Sequence, residues 1–274
     1  MTLVNAFSVD LEEGFHSSTF SRRYPPARWD SLPSRVEPET RVLLDLLGRY
    51  EQRATFFVLG WIAERHRGLV RDIAAAGHEI ATHGHLHRLV YDLGPDAFRD
   101  DLRRSKAAIE DATGRAVKGH RAASFSITPR SLWALDILAD EGIEWDSSVY
   151  PVRHHRYGIP DSPLVPHRRG RIVELPIATL AIGPLRVGVG GGAYLRFLPR
   201  PLWLGAVGQV ARVRPLTLYV HPWECDPGQP HLEGSVLARL RQYGGQRTTL
   251  PKLEAVFRRQ RFSTFGDLAG TVGA

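Results

Sequence analysis

Acids and histidines recur along this chain at intervals suited to holding a divalent metal and moving protons. Near the start, Asn5-Ala-Phe-Ser-Val-Asp-Leu-Glu12 alternates, with Phe7, Val9 and Leu11 on one side and Ser8, Asp10 and Glu12 on the other. That is the pattern of a strand whose polar side carries two carboxylates. Thr82-His-Gly-His-Leu-His87 adds three histidines, of which His83 and His87 stand at i and i+4, one face of a helical turn. Two or three histidines plus a carboxylate, with one position left open, are what a catalytic zinc or similar ion requires. The plainer alternative is a group of surface-loop histidines. His78-Glu79 with His83 approaches the H-E-x-x-H of metalloproteases, but the spacing is one residue too long. Arg121, Asp146, His221 and Glu224 follow at later positions where polar residues end apolar segments.

Other chemistries find no support. There is no G-x-S-x-G nucleophile elbow and no G-x-x-x-x-G-K-[ST] phosphate loop. Gly188-Val-Gly-Gly-Gly192 lacks the lysine and a clear following helix, and reads as a flexible loop beside the cleft. The one cysteine, Cys225, excludes an intrachain disulfide framework and a Cys-based zinc ribbon, and nothing marks it as a nucleophile. Lys+Arg of 36 against Asp+Glu of 29 leaves a formal charge of +7, almost all of it arginine and spread along the chain. The spread reads as a solvated face, with a site for an anionic glycan, lipid or nucleic acid as the alternative, and no nucleic-acid partner is expected.

These residues need a scaffold that brings them together. A chain of 274 residues, 43% hydrophobic, can bury one large core. Leucine spacing predicts a helix over 41–51, then a strand over 54–59, a helix over 61–76 closed by Gly77, and a strand over 79–82. The unit repeats with helices over 96–113 and 129–141, stopped by Gly114 and Gly142, and strands over 117–121 and 143–146. A last apolar strand, 216–221, ends in His-Pro-Trp-Glu. Helices between short strands indicate an α/β fold, a (β/α) barrel around a mainly parallel sheet, with chemistry at the carboxyl ends of the strands. We read residues 1–274 as a single domain with a loop-rich insertion at about 150–201, where Pro, Gly, His and Arg concentrate, and a C-terminal extension at about 226–274. In such a barrel the strand 216–221 is expected across the cleft from the first one. The opening residues carry acids where a signal peptide would be apolar, so a cytoplasmic location is expected. The longest apolar stretches fall short of the roughly 20 residues a bilayer span needs.

Ser8-Val-Asp-Leu-Glu12, Thr82-His-x-x-x-His87, Arg121-Ala-Ala, Trp145-Asp-Ser-Ser148 and Leu218-Tyr-Val-His221, in that order, resemble the five motifs of the NodB-homology polysaccharide deacetylases, carbohydrate esterase family four. The resemblance spans about residues 4–225. Within it, Trp29, Ala54-Thr-Phe-Phe-Val-Leu-Gly-Trp61, Arg156-Tyr-Gly-Ile-Pro160 and His221-Pro-Trp-Glu224 look like the branch found in exosortase-associated exopolysaccharide loci.

The resemblance implies an irregular barrel and a divalent metal, usually Zn2+, serving hydrolysis of an N-acetyl group on a hexosamine. Asp10 would be the general base, Glu12, His83 and His87 the metal ligands, and His221 the general acid. Arg121 would hold and direct Asp10, and Asp146 would orient a catalytic partner. Phe125, Trp145, Tyr157 and Trp223 are candidates to stack on sugar faces, each with a core role as the alternative. The usual first motif has adjacent aspartates, whereas here the acids stand at i and i+2 and the second is Glu12, with Glu13 a competing ligand. The implied substrate is an acetylated glycan or lipid-linked oligosaccharide in exopolysaccharide assembly, reached from the cytoplasm with peripheral membrane association. Two other readings keep the fold: an allantoinase-like hydrolase of cyclic ureides or imides, and a barrel that binds an anionic glycan without catalysis.

Overall fold

A computed structural model describes residues 3–273, and among these the chain forms eleven short strands. They are β1 (Asn5–Leu11), β2 (Thr55–Val58), β3 (Glu79–Thr82), β4 (Gly119–His120), β5 (Trp145–Asp146), β6 (His167–Arg169), β7 (Ile172–Glu174), β8 (Thr179–Ile182), β9 (Leu185–Gly188), β10 (Thr217–Val220) and β11 (Phe262–Ser263). Nine of them form one sheet in the order β10-β1-β2-β3-β4-β5-β7-β6, with β11 also paired to β1. Every neighbouring pair is parallel except β6 with β7. The remaining two strands make a small antiparallel hairpin inside the predicted insertion.

Period-two alternation sorts the side chains into two cores. Phe7, Val9, Leu11, Phe56, Val58, Leu218 and Val220 face outward and pack under the helices. Ala6, Phe57, Ala81, Trp145, Val173 and Tyr219 face inward and fill the curl of the sheet. Closure comes from backbone laid against β10. The Ala178 amide donates to the Thr217 carbonyl at 3.1 Å, and the Tyr219 amide donates to the Gly190 carbonyl at 2.8 Å. The glycine run at 188–192 is therefore a packed segment and not the expected flexible loop. A Cβ on Gly191 would lie 2.1 Å from the Tyr219 carbonyl oxygen, and one on Gly190 2.3 Å from Ile177 Cγ2.

The expected βα repeat is present, with altered boundaries. The first helix runs Val36–Arg49, starting earlier than its leucines suggest because Glu13 accepts hydrogen bonds from the free amides of Arg35 and Val36. The predicted helix 61–76 is two, Gly60–Arg65 and Arg67–Ala75, broken at His66. The C-terminal segment is part of the barrel: Phe257 and Phe262 pack edge-on against Phe7, and Phe262 registers with Asn5. The strand 216–221 does not face the first strand across a cleft. It pairs with it, Val9 beside Val220, which brings the ends of the two strands side by side.

We expect Gly191→Ala to cost about 2 kcal/mol or more, because backbone and not a movable side chain meets the new methyl. Gly208→Ala, in the helix Arg200–Val213 with open space around it, should stabilise by about 0.5–1 kcal/mol. Urea unfolding of both variants checks the pair, and an unchanged midpoint for Gly191→Ala would refute the closure.

Candidate metal centre and active site

The inward-facing residues at the carboxyl ends of the strands are Asp10 and Glu12 from β1, His83 after β3, Arg121 after β4 and His221 after β10. Arg121 sits lowest and is fully buried. Its Nη1 donates to Asp10 Oδ1 at 2.5 Å and to Ser8 Oγ at 2.8 Å, and its Nη2 donates to Ser147 Oγ at 3.1 Å. The guanidinium lies 3.9 Å from the Phe57 ring centre and 5.0 Å from that of Phe265. A cation removed from water is tolerated only with such a carboxylate and saturated donors, and the ring faces add cation–π attraction.

Glu12 stands above this pair. Its Oε1 accepts from Trp223 Nε1 at 3.1 Å, while its buried Oε2 accepts no hydrogen bond although it lies 2.9 Å from His87 Nε2. Burial alone would raise the Glu12 carboxyl, but His87, His221 and His83 outweigh it and hold the group well below the usual carboxylate range. His83 Nδ1 faces the Arg121 carbonyl at 2.8 Å. A carbonyl only accepts, so Nδ1 carries the proton and Nε2 keeps its lone pair free. Burial pushes His83 down to about 4, with Asp10 opposing and His87 assisting, so the ring is neutral at pH 7. One atom each from Glu12, His83 and His87 fall within 4.8 Å of one another. An unpartnered buried carboxylate oxygen facing two imidazoles is the arrangement a divalent ion satisfies, and these residues fit one.

The histidine pair does not use a helical turn. Residues 83–87 form a loop in which Gly84 has φ of +78° and His87 φ of +50°, and this brings the two rings to 5.3 Å. A left-handed backbone at a histidine costs free energy and persists where packing overrides it, as sites commonly require.

His221 Nδ1 is bonded to Glu224 Oε2 at 2.9 Å, which also accepts from the His221 amide at 3.0 Å. Glu224 Oε1 in turn accepts from Arg196 Nε at 2.7 Å. Burial works to lower His221, yet the adjoining Glu224, then Glu12 and Asp10, raise it to about 9. Its Nε2 lies 3.6 Å from Glu12 Oε1 and 3.9 Å from Asp10 Oδ2. Glu224 is thus the residue that orients His221, whereas the resemblance implies that Asp146 orients a catalytic partner. The signal for Glu224 was its i+3 spacing from His221.

Alternation explains where other candidates went. Trp145 is inward but deep, stacked at 6.2 Å on Phe265 over Gly119, so it plugs the barrel and does not reach a sugar. Asp146, one residue on, faces outward. Its Oδ1 meets His120 Nδ1 at 2.6 Å and accepts from Ser148 Oγ at 2.7 Å, outside the cleft. Glu13 also points outward, capping the helix Val36–Arg49, so the carboxylate in the cluster is that of Glu12. His85 is buried outside the cluster, its Nε2 3.9 Å from Glu64. A cleft of about 350 Å³ opens above the ligands, with Phe125, Tyr157 and Trp223 on its walls. Trp223 is buried and already in contact, with His221 stacked on it at 4.9 Å and Arg196 lying 5.3 Å from its centre.

Residues 27–139 match the family described as Polysaccharide deacetylase, and residues 147–269 match one described as Domain of unknown function (DUF3473). Residues 27–139 thus carry the polysaccharide deacetylase match. A chitooligosaccharide deacetylase of Bradyrhizobium sp. (strain ANU 289) is 31% identical over 48% of this chain and 62% of its own length. A peptidoglycan-N-acetylglucosamine deacetylase of Bacillus cereus is 26% identical over 47% and 50%. The chain thus spans about half to two thirds of the curated relatives it matches. Among solved structures, a polysaccharide deacetylase homologue from Mycobacterium smegmatis superposes with a TM-score of 0.66 at 21% identity, covering 98% of this chain and 89% of that one. A CE4 family pseudoenzyme from Bacillus anthracis gives 0.55 at 13%, covering 100% and 67%. These likenesses establish the fold of the deacetylase domain, an irregular α/β barrel.

His83→Ala, His87→Ala and Glu12→Ala should each lose bound divalent metal, because too few ligands remain. Glu13→Ala should keep the metal and lose about 1 kcal/mol of stability through its helix cap. Elemental analysis and thermal melts separate the two classes, and stoichiometric metal in all three ligand variants would exclude this centre.

Proposed function

We propose that the protein hydrolyses the N-acetyl group of an acetamido sugar in an acetylated glycan. The observation that carries the reading is the placement of Asp10 and His221 on neighbouring strands, 3.9 Å apart, both at the edge of the Glu12, His83 and His87 cluster. Two imidazoles with one carboxylate suit Zn2+. Glu12, His83 and His87 would hold that ion, which when bound supplies Lewis acidity toward the amide carbonyl and water. Asp10, oriented through Oδ1 by Arg121, keeps Oδ2 free to take a proton from the attacking water. His221, charged and fixed at Nδ1 by Glu224, presents Nε2–H to the leaving nitrogen. An amine leaves readily only when protonated, so the transfer turns a poor leaving group into a neutral one.

The setting in exopolysaccharide assembly is supported by the branch-like motifs around Arg156 and His221, and a lipid-linked substrate reached from the cytoplasm belongs to the same proposal. The names of the curated relatives support an N-acetylated glycan as substrate. The ureide alternative draws on the separated acids Asp10 and Glu12, and free acetate release against ring opening of allantoin distinguishes it.

Asp10→Asn should keep the metal and lower turnover by on the order of 10² or more. His221→Ala should cripple amide hydrolysis far more than hydrolysis of an activated aryl acetate, whose phenolate leaves without a proton. Glu224→Gln should show the same imbalance to a lesser degree. The measurements are kcat/KM on both substrates with metal content in parallel. Equal losses on the two substrates with metal intact would remove His221 as the acid.

A further inference from the structure

Above the metal centre the cleft changes sign. Among the described residues its lining carboxylates are Asp10, Glu12 and Glu224, all at the floor. Each is already engaged, by Arg121, by the ligand histidines and by Arg196 with His221. The upper walls carry His154, His155, Arg156 and Arg241 with no acid among them. Many arginines elsewhere have carboxylate partners, as Arg65 has Asp30 and Arg103 has Glu141. Arg156 and Arg241 have no such ion pair among the described residues.

The two cations come from separate segments, and both segments are held. Arg156 belongs to a turn braced by aromatic stacking, His154 on Tyr157 at 3.9 Å and Tyr157 on Tyr150 at 5.7 Å. Gly158, at φ of +99°, closes that turn where a Cβ would meet the Val152 carbonyl oxygen at 2.2 Å. Arg241 lies on the helix Val236–Tyr243, and its carbonyl accepts from Arg196 Nη2 at 2.7 Å, which ties it to the buried Glu224 that orients His221. His154, Arg156 and Arg241 line the same cleft; burial lowers His154, and the charges of His155, Arg156 and Arg241 lower it further. A neutral acetamido sugar makes no use of such a field. An anion does, because low-dielectric walls concentrate it and two guanidinium forks match an oxyanion.

We infer that the mouth of the cleft is a binding site for an oxyanion carried by the substrate beside its acetamido sugar, held between Arg156 and Arg241. The inference rests on the deacetylase reading for the neighbouring sugar but not for the anion. The oxyanion has two sources, a phosphate on the reducing end, as in a lipid-linked precursor, or the carboxylate of an adjacent uronic acid.

Isothermal titration of the metal-loaded chain with N-acetylglucosamine, N-acetylglucosamine 1-phosphate and an N-acetylglucosamine–glucuronic acid disaccharide tests it. One or both anionic ligands should bind about tenfold or more tightly than the neutral sugar, an advantage that shrinks with added salt. The larger advantage names the source. R156Q/R241Q should lose the advantage and R156K/R241K should retain part of it, with metal content and melting temperature as checks on the fold. Equal affinities in the wild type would overturn the inference, as would an advantage that persists in R156Q/R241Q, where the metal centre itself would be taking the anion. Acetate release from the neutral sugar is read separately. Its absence beside charge-dependent binding would strike the deacetylase reading and leave the anion site standing.

Discussion

The buried pair of Arg121 and Asp10 is the constraint around which the barrel interior is arranged. A guanidinium with no solvent exposure has to find a carboxylate, further acceptors and polarisable surface, or the fold loses several kcal/mol. Ser8 and Ser147 supply acceptors, and Phe57 and Phe265 supply the ring faces. Those residues come from β1, β2, the segment after β5 and the C-terminal region. The C-terminal segment is thus needed to build the floor of the site, although it contributes no residue to the chemistry.

Compensation recurs outward from that floor. Asp10 is balanced by Arg121, and Glu224 by Arg196 and His221, while Glu12 keeps one oxygen bonded to Trp223 and the other without a hydrogen bond. The oxygen left over faces the two histidines of the proposed centre. Of the carboxylates at the floor of the cleft, Glu12 leaves a fully buried oxygen without a hydrogen bond, and Asp10 and His221 stand at the edge of the same cluster. The same barrel supports a pseudoenzyme among its structural likenesses, so the fold by itself carries no activity, and the proposed one rests on the side chains.

The arginine-rich composition acquires meaning only once the acids are located. Exposed pairs such as Arg41 with Asp72 and Arg67 with Asp111 are the solvated face expected from the sequence, and such pairs add little stability. Among the described residues the mouth of the cleft carries no acid, and there the same residue type becomes a recognition element.

The sequence by itself determined which residue types stand where along each strand. Alternation placed Asp10 and Glu12 on one face, the histidine spacing pointed to a metal, and repeated helix and strand signals indicated a βα barrel, because periodicity is a property of neighbours along the chain. It did not decide which face of each strand looks inward past its last apolar residue. That choice sent Trp145 into the barrel as a plug, turned Asp146 toward His120, and separated Glu13 from Glu12. Nor did it decide strand order: β10 beside β1 puts His221 next to Asp10, a contact across more than two hundred residues. Glu224 carried a readable spacing, but its role depends on Arg196 from another helix, and such long-range pairing is settled only when the chain closes on itself.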